Sequence, residues 1–293
     1  MRLVVGYLAT PSGADGLALG VQLARSLGAE IDICLVLPPE STVPTRIPTD
    51  SYEDLLSDQA VEWLVEARAM VPDDVTSRTH LRSNESFAQG LLDIAHELDA
   101  EMIVIGAAGD GLLGRHSIGS VTGELLHCAH LSMALAPRGL RHSTAKRIRS
   151  VTCALGTRPG AEVLLREAVR VSRLSASPLR LVSLVPLDMS TRRRSDTAES
   201  ARRRSIEHAR DILETAKSGL PEDIAVDSQV ADGSSVESAV SKLEWTDGDL
   251  IMVGSSRLAR PRHIFLGSTA DKMLRVVPVP MIVVPKEEAA DHD

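Results

Sequence analysis

A chain of 293 residues is long enough for two domains of ordinary size, each with its own core. Hydrophobic residues make up 43% of it, which excludes a disordered chain. A net charge of −8 and an aromatic content of 2% argue against a general polyanion binder and against nucleic-acid surfaces that stack bases.

In chain order, Leu3 to Tyr7 form an apolar first strand. The residues before it are too few for the apolar core of a secretion signal. Leu17, Leu19, Val21, Leu23, Ala24 and Leu27 predict a buried helix ending at Gly28. A strand follows over Ile31 to Leu37, closed by Pro38-Pro39, and then a Pro- and Thr-rich loop. Asp54 to Met70 read as a helix, Val75 to Leu81 as a strand and Ser86 to Leu98 as a helix. Met102 to Gly106 are a short, continuously apolar strand. A glycine-rich loop, a helix over Ser120 to Ala129 and a strand over Ser132 to Ala136 end at Pro137.

The same order then returns. Gly6 falls on Ala154, Pro38 on Pro186, Gly106 on Gly254, Gly119-Ser120 on Gly267-Ser268 and Pro137 on Pro285, an offset of 148 in each case. That period is too long for a solenoid unit and matches a whole domain. The second copy predicts strands near 150–156, 179–185, 224–230, 249–254 and 281–284, with helices at 160–175, 197–217, 234–245 and 268–277. Strands alternating with helices predict an α/β fold. It has two similar domains, each an open five-stranded parallel sheet with helices on both faces, in the Rossmann-like manner. The domains run over 1–138 and 149–286, joined by a basic linker at 139–148 that reads as a solvated connector, with a charged tail at 287–293.

Cys34, Cys128 and Cys153 lack metal-ligand spacing and read as buried, reduced thiols of a cytosolic protein. His127 and His130 stand at i, i+3 without a neighbouring carboxylate cluster, so no metal site is assigned. No run of about 18 apolar residues exists to cross a membrane. No Ser–His–Asp or Cys–His set can be assembled, and no P-loop pattern is present. Gly109-Asp-Gly111-Leu-Leu-Gly114 satisfies the dinucleotide pattern in letters only. It follows the fourth strand rather than the first and lacks the later acid.

The informative segment is the loop after the fourth strand. In the first copy it spaces Gly106, two residues, Gly109, nine residues, then Gly119-Ser120, with Val121 next in the helix. Gly106 ends a strand at the edge where ligands of open α/β sheets bind. Gly109 lets the backbone approach a ligand closely. Gly119-Ser120 opens a helix whose free N–H groups and dipole favour phosphate, and Arg115 and His116 add charge in the same loop.

Over nearly its whole length the chain resembles the universal stress protein family, as a tandem two-domain member of the adenine-nucleotide α-hydrolase-like kind. The resemblance rests on the Gly-x2-Gly-x9-Gly-Ser spacing, its place in the fold and the five-strand domain. It implies ATP or a related adenine nucleotide, with Mg²⁺, on Gly106, Gly109, Arg115, Gly119, Ser120 and Val121. It also implies a homo-oligomer, with the two copies paired internally through their last strands. The chain departs from the family where an Asp after the first strand contacts the nucleoside: Leu8 stands there in the first copy and Gly156 in the second. The second loop departs again. Gly254, Gly267 and Ser268 are kept but Arg257 replaces the second glycine, which marks a degenerate second site.

Two functions are therefore expected as alternatives. One is a non-enzymatic, nucleotide-binding regulator of the stress response. The other is a nucleotide-independent interaction scaffold, favoured by the missing Asp and by Arg257. An ATP-using enzyme needs a base and a metal carboxylate, for which Asp110 is the only nearby candidate.

Overall fold

A computed structural model describes residues 1–39, 49–106, 120–156, 161–186, 195–255, 264 and 266–285. The first copy runs β1 (Arg2–Gly6), α1 (Pro11–Leu27), β2 (Glu30–Leu37), α2 (Thr49–Ala69), β3 (Ser77–Ser83), α3 (Phe87–Glu97), β4 (Met102–Gly106), α4 (Ser120–Cys128) and β5 (Ser132–Ala136). A 3-10 turn, Leu140–His142, follows. The second copy runs β6 (Ser150–Ala154), α5 (Ala161–Ser175), β7 (Leu179–Pro186), α6 (Ser195–Ser218), β8 (Val226–Gly233), α7 (Val236–Val240), β9 (Asp249–Gly254), α8 (Ser268–Val276) and β10 (Met281–Val284).

All ten strands share one sheet, in the order β3-β2-β1-β4-β5-β10-β9-β6-β7-β8. Each half is parallel, and its order reverses between β1 and β4, or between β6 and β9. The seam alone is antiparallel, with Met281 opposite Leu135 and Val283 opposite Met133. Central strands in such a sheet are covered on both faces, hence their unbroken apolar runs. On each face a large core crosses the seam, and a smaller cluster of Val182, Ala231, Ala239 and Leu243 lies within the second copy. Leu3, Val5 and Val104 share a core with Val151 and Leu250. Val4, Ile103 and Met133 share the other with Ile251, Met281 and Val283. The seam is thus the interior of one body.

The repeat extends to details that no core requires. Arg25 grips Asp74 through two hydrogen bonds of 2.8 and 2.6 Å, and Arg173 grips Asp223 in the same way at 3.0 and 2.7 Å. These hydrogen bonds hold both carboxyls below their usual range. Ser86 and Ser235 each cap the following helix by accepting from a backbone N–H three residues on.

Four expectations need correction. β3 and β8 start two residues later than the sequence predicts, because Val75 and Ile224 close turns on Pro72 and Pro221 instead of joining the strand. α7 is a five-residue helix, since the chain turns at Ser241–Leu243 and brings Trp245 under Arg180, 4.9 Å from the ring centre. Cys128 is exposed at the end of α4, whereas burial pushes the Cys34 thiol up to about 12 and raises Cys153 further.

The linker differs most. It is a docked strap, with Ala145 and Ile148 buried. The buried Asp15 of α1 accepts from the Gly139 and Arg141 N–H groups and pairs with the Arg141 guanidinium at 2.9 Å. Gln22 donates to Ser143 Oγ and the Ala145 carbonyl, and Ser26 Oγ accepts from the Ile148 N–H. Asp247, before β9, accepts from Ser143, Thr144 and Ala145. Those bonds, Ser143 first, hold its carboxyl below the usual range.

Candidate functional site

In the first copy, β1 and β4 end side by side at the point where the strand order reverses. Ligands of open α/β sheets lie at that crevice. α1 enters it through Thr10, whose extended backbone and side chain cap the helix by accepting from the Gly13 N–H at 3.1 Å, with Pro11 at the first position. The helix lies so close to β4 that a Cβ on Gly16 would stand 2.6 Å from the Gly106 nitrogen. A Cβ on Gly106 would overlap the Ser12 carbonyl. Gly106 is therefore demanded by packing as well as by any ligand.

α4 opens at the end of the loop that follows β4. Its second residue, Val121, is half-buried against the core that faces α3 and α4. Its backbone belongs to the first turn, where N–H groups lack helical partners. The Ser86 hydroxyl donates to Glu124 at 2.8 Å and ties the start of α3 to α4. Neither α1 nor α4 carries an acidic residue in its first turn. Two positive helix ends thus begin at one sheet edge without a first-turn carboxylate.

Leu8 stands on the rim of this crevice, 42% exposed. Its side chain offers no acceptor to a sugar hydroxyl and presents apolar surface instead. Ser12 and Thr10 were not among the expected site residues. The Thr-Pro pair after a strand, an N-cap followed by proline, is the signal that marks this helix start.

The second copy has the same frame with different ends. Gly254 closes β9, and a Cβ placed on it would meet only Leu164 side-chain atoms at 3.8 Å among the described residues. Gly267 is the extended N-cap of α8 and offers no side-chain cap, while Ser268 is exposed. Here both helix starts carry acids, Glu162 on α5 and Asp271 on α8, the latter paired with Arg275 at 2.8 Å. A carboxylate there satisfies the helix dipole and repels phosphate. Ile264 is fully buried, and its N–H donates to the Ala129 carbonyl at 2.7 Å, pinning part of this copy's loop against the first copy.

The structure therefore brings Gly106 and Val121 to the first crevice, and Gly254, Gly267 and Ser268 to the second. Gly109, Asp110, Arg115, His116 and Gly119, and Arg257 in the second copy, lie outside the described residues, as does the Ser120 side chain. A separate cavity of about 420 Å³ lies at the seam, lined by Gln22, Leu140, Trp245 and Pro278–Pro280 among others. It faces the amino ends of β9 and β10, away from the glycine loop that follows β9. Among the described residues no His, Cys, Asp or Glu group is arranged to hold a metal ion, and no helix is long and apolar enough to cross a membrane.

Ten strands with one antiparallel seam, and a crevice flanked by helix starts in each half, define a tandem doubly wound α/β protein with its two copies paired through their last strands. The chain belongs to the universal stress protein family, whose model matches residues 1–137 and 147–285. It is 28% identical over 298 residues to universal stress proteins of Mycobacterium tuberculosis and Mycobacterium bovis, covering 97% of this chain and 100% of each relative. Among solved structures it is similar to a universal stress protein from Archaeoglobus fulgidus, with a TM-score of 0.68 and 17% identity over 99% of this chain and 97% of that one. It is also similar to a Pseudomonas aeruginosa protein, with a TM-score of 0.57 and 15% identity over 97% and 92% of the two chains.

Proposed function

We propose that this universal stress protein is a non-enzymatic regulator that takes ATP or a related adenine nucleotide at the carboxyl edge of its first copy, the second copy being a degenerate site. The two domains are taken as 1–138 and 149–286. The observation that carries the reading is the contrast in helix starts: α1 and α4 have no first-turn acid, whereas α5 has Glu162 and α8 has Asp271. An anionic phosphate fits the first pair and is opposed by the second.

The backbone at Gly106, Gly109, Gly119 and Ser120 would hold the phosphates, with Arg115 adding charge and Mg²⁺ accompanying the nucleotide. Nucleotide supplies no chemistry in this role; the readout of its binding is a change of partner state. No residue is assigned to catalysis. In this reading the chain works in the cytosol. Further copies assemble through surfaces other than β5 and β10, whose facing edges are already paired with each other.

Leu8 favours the second reading, a scaffold that works without nucleotide. Losing a carboxylate that bonds a sugar or base costs about 1–3 kcal/mol, one to two decades in affinity. The two readings separate in a titration of purified protein with ATP and Mg²⁺, alongside an assay for co-purified nucleotide. Saturable binding near one equivalent supports the regulator. No heat and no nucleotide leave the scaffold.

A further inference from the structure

Among the described residues, six large hydrophobic side chains are exposed, and four belong to α2 or the residue after it. Leu55 is 64% exposed, Val61 50%, Val65 65% and Met70 49%. Single exposed apolar residues need no explanation, but a row does. Val61 and Val65 stand at i, i+4 and share one face of the helix. Beside them Asp58, Glu62 and Glu66 form a second row at the same spacing, all exposed. The opposite face, Ala60, Leu64 and Ala67, is buried against the sheet.

The second copy supplies the control. In α6, Ala209, Leu213 and Ala216 take the places of the packed trio. In that register Leu55, Val61 and Val65 face Arg204, Arg210 and Glu214, all exposed. One helix therefore shows what this position looks like when water covers it. The other keeps apolar side chains there, beside an acidic row of which α6 shares two places, Glu207 and Asp211, and not the third, where Thr215 stands for Glu66.

We propose that the exposed face of α2 is a docking surface for a basic amphipathic helix of a partner protein. Its apolar residues would cover Val61 and Val65 while its Lys and Arg side chains meet Asp58, Glu62 and Glu66. The acidic row selects the occupant. It repels an anionic lipid surface and a nucleic acid. It also opposes self-pairing, because a second α2 would bring the same carboxylates face to face. The surface lies at the β3 end of the sheet, so the proposal stands whether or not nucleotide binds.

The test uses the full chain and two labelled 18-residue helical peptides with leucine at i, i+3, i+4 and i+7, one filled out with lysine and one with glutamate. Fluorescence anisotropy is expected to show saturable binding of the lysine peptide only. The variant Val61→Arg/Val65→Glu copies the second copy's residues and leaves the net charge unchanged. It is expected to weaken binding at least tenfold with an unaltered thermal transition, and Glu62→Gln/Glu66→Gln to weaken it several-fold. No binding by the wild type, or equal binding by Val61→Arg/Val65→Glu, overturns the proposal. So does sedimentation showing a wild-type dimer that the same variant dissociates, since the face would then be closed by a second copy.

Discussion

The two copies share a scaffold down to a bidentate Arg–Asp grip and a serine cap, yet they differ at the helix starts beside each crevice. At the first crevice two helices start without an acid. At the second, Glu162 and Asp271 occupy the same turns, and Ile264 is drawn into the seam. At the helix over the sheet's outer end the difference runs the other way, with Val61 and Val65 exposed on α2 against Arg210 and Glu214 on α6. On the proposed reading, the first copy takes nucleotide and the second does not.

The largest effect should come from the crevice floor. Gly106→Ala drives a Cβ into the Ser12 backbone and should cost about 2–3 kcal/mol of stability. Gly254→Ala, whose Cβ would meet only Leu164 side-chain atoms at 3.8 Å among the described residues, should cost less than ~1 kcal/mol. Denaturant midpoints of the two variants check this, and equal losses would break the comparison.

Leu8→Asp restores the absent carboxylate and should tighten ATP binding by roughly one to two decades. A titration of the variant against the wild type measures it. Gly123→Asp places in α4 the acid that Asp271 supplies in α8, and should weaken binding about fivefold through the helix dipole.

The strap responds to pH. The Asp247 carboxyl is held low, so its contribution is present above the ordinary carboxylate range and is lost as pH falls through its lower folded value. Asp247→Asn should lose about 1–2 kcal/mol at neutral pH. The gap to the wild type should close well below pH ~4, where both side chains are neutral. Unfolding followed at pH 7 and in acid checks the sign.

The smallest effect concerns a turn. Gly28 closes α1 at φ 66°, and Ala176 closes α5 at φ 50°, a conformation that disfavours a Cβ. Ala176→Gly should gain about 0.5–1 kcal/mol, and Gly28→Ala should lose a similar amount.

Much of this was legible in the sequence because strand residues, glycines and prolines keep one register twice. The resemblance to the family already implied the seam between the last strands. The strap was missed because its partners lie far along the chain. Its trace was nonetheless present: Asp15, Gln22 and Ser26 stand at i, i+7 and i+11, a polar stripe on a helix otherwise fit for burial. Turn plugs such as Val75 and Ile224 are indistinguishable from strand residues by hydrophobicity alone. In the candidate site, the sequence put Gly106 at the carboxyl end of the fourth strand, and the strand order reverses beside it. The second role of Gly106, making room for α1, depends on how close a helix approaches, which spacing cannot express.

The central claim is that the first copy binds nucleotide and the second does not. Calorimetric titration of ATP and Mg²⁺ into the wild type, Gly119→Val and Gly267→Val tests it most directly. The account predicts one site per chain in the wild type, lost in Gly119→Val and kept in Gly267→Val. Two equal sites, or a site lost only in Gly267→Val, would contradict it.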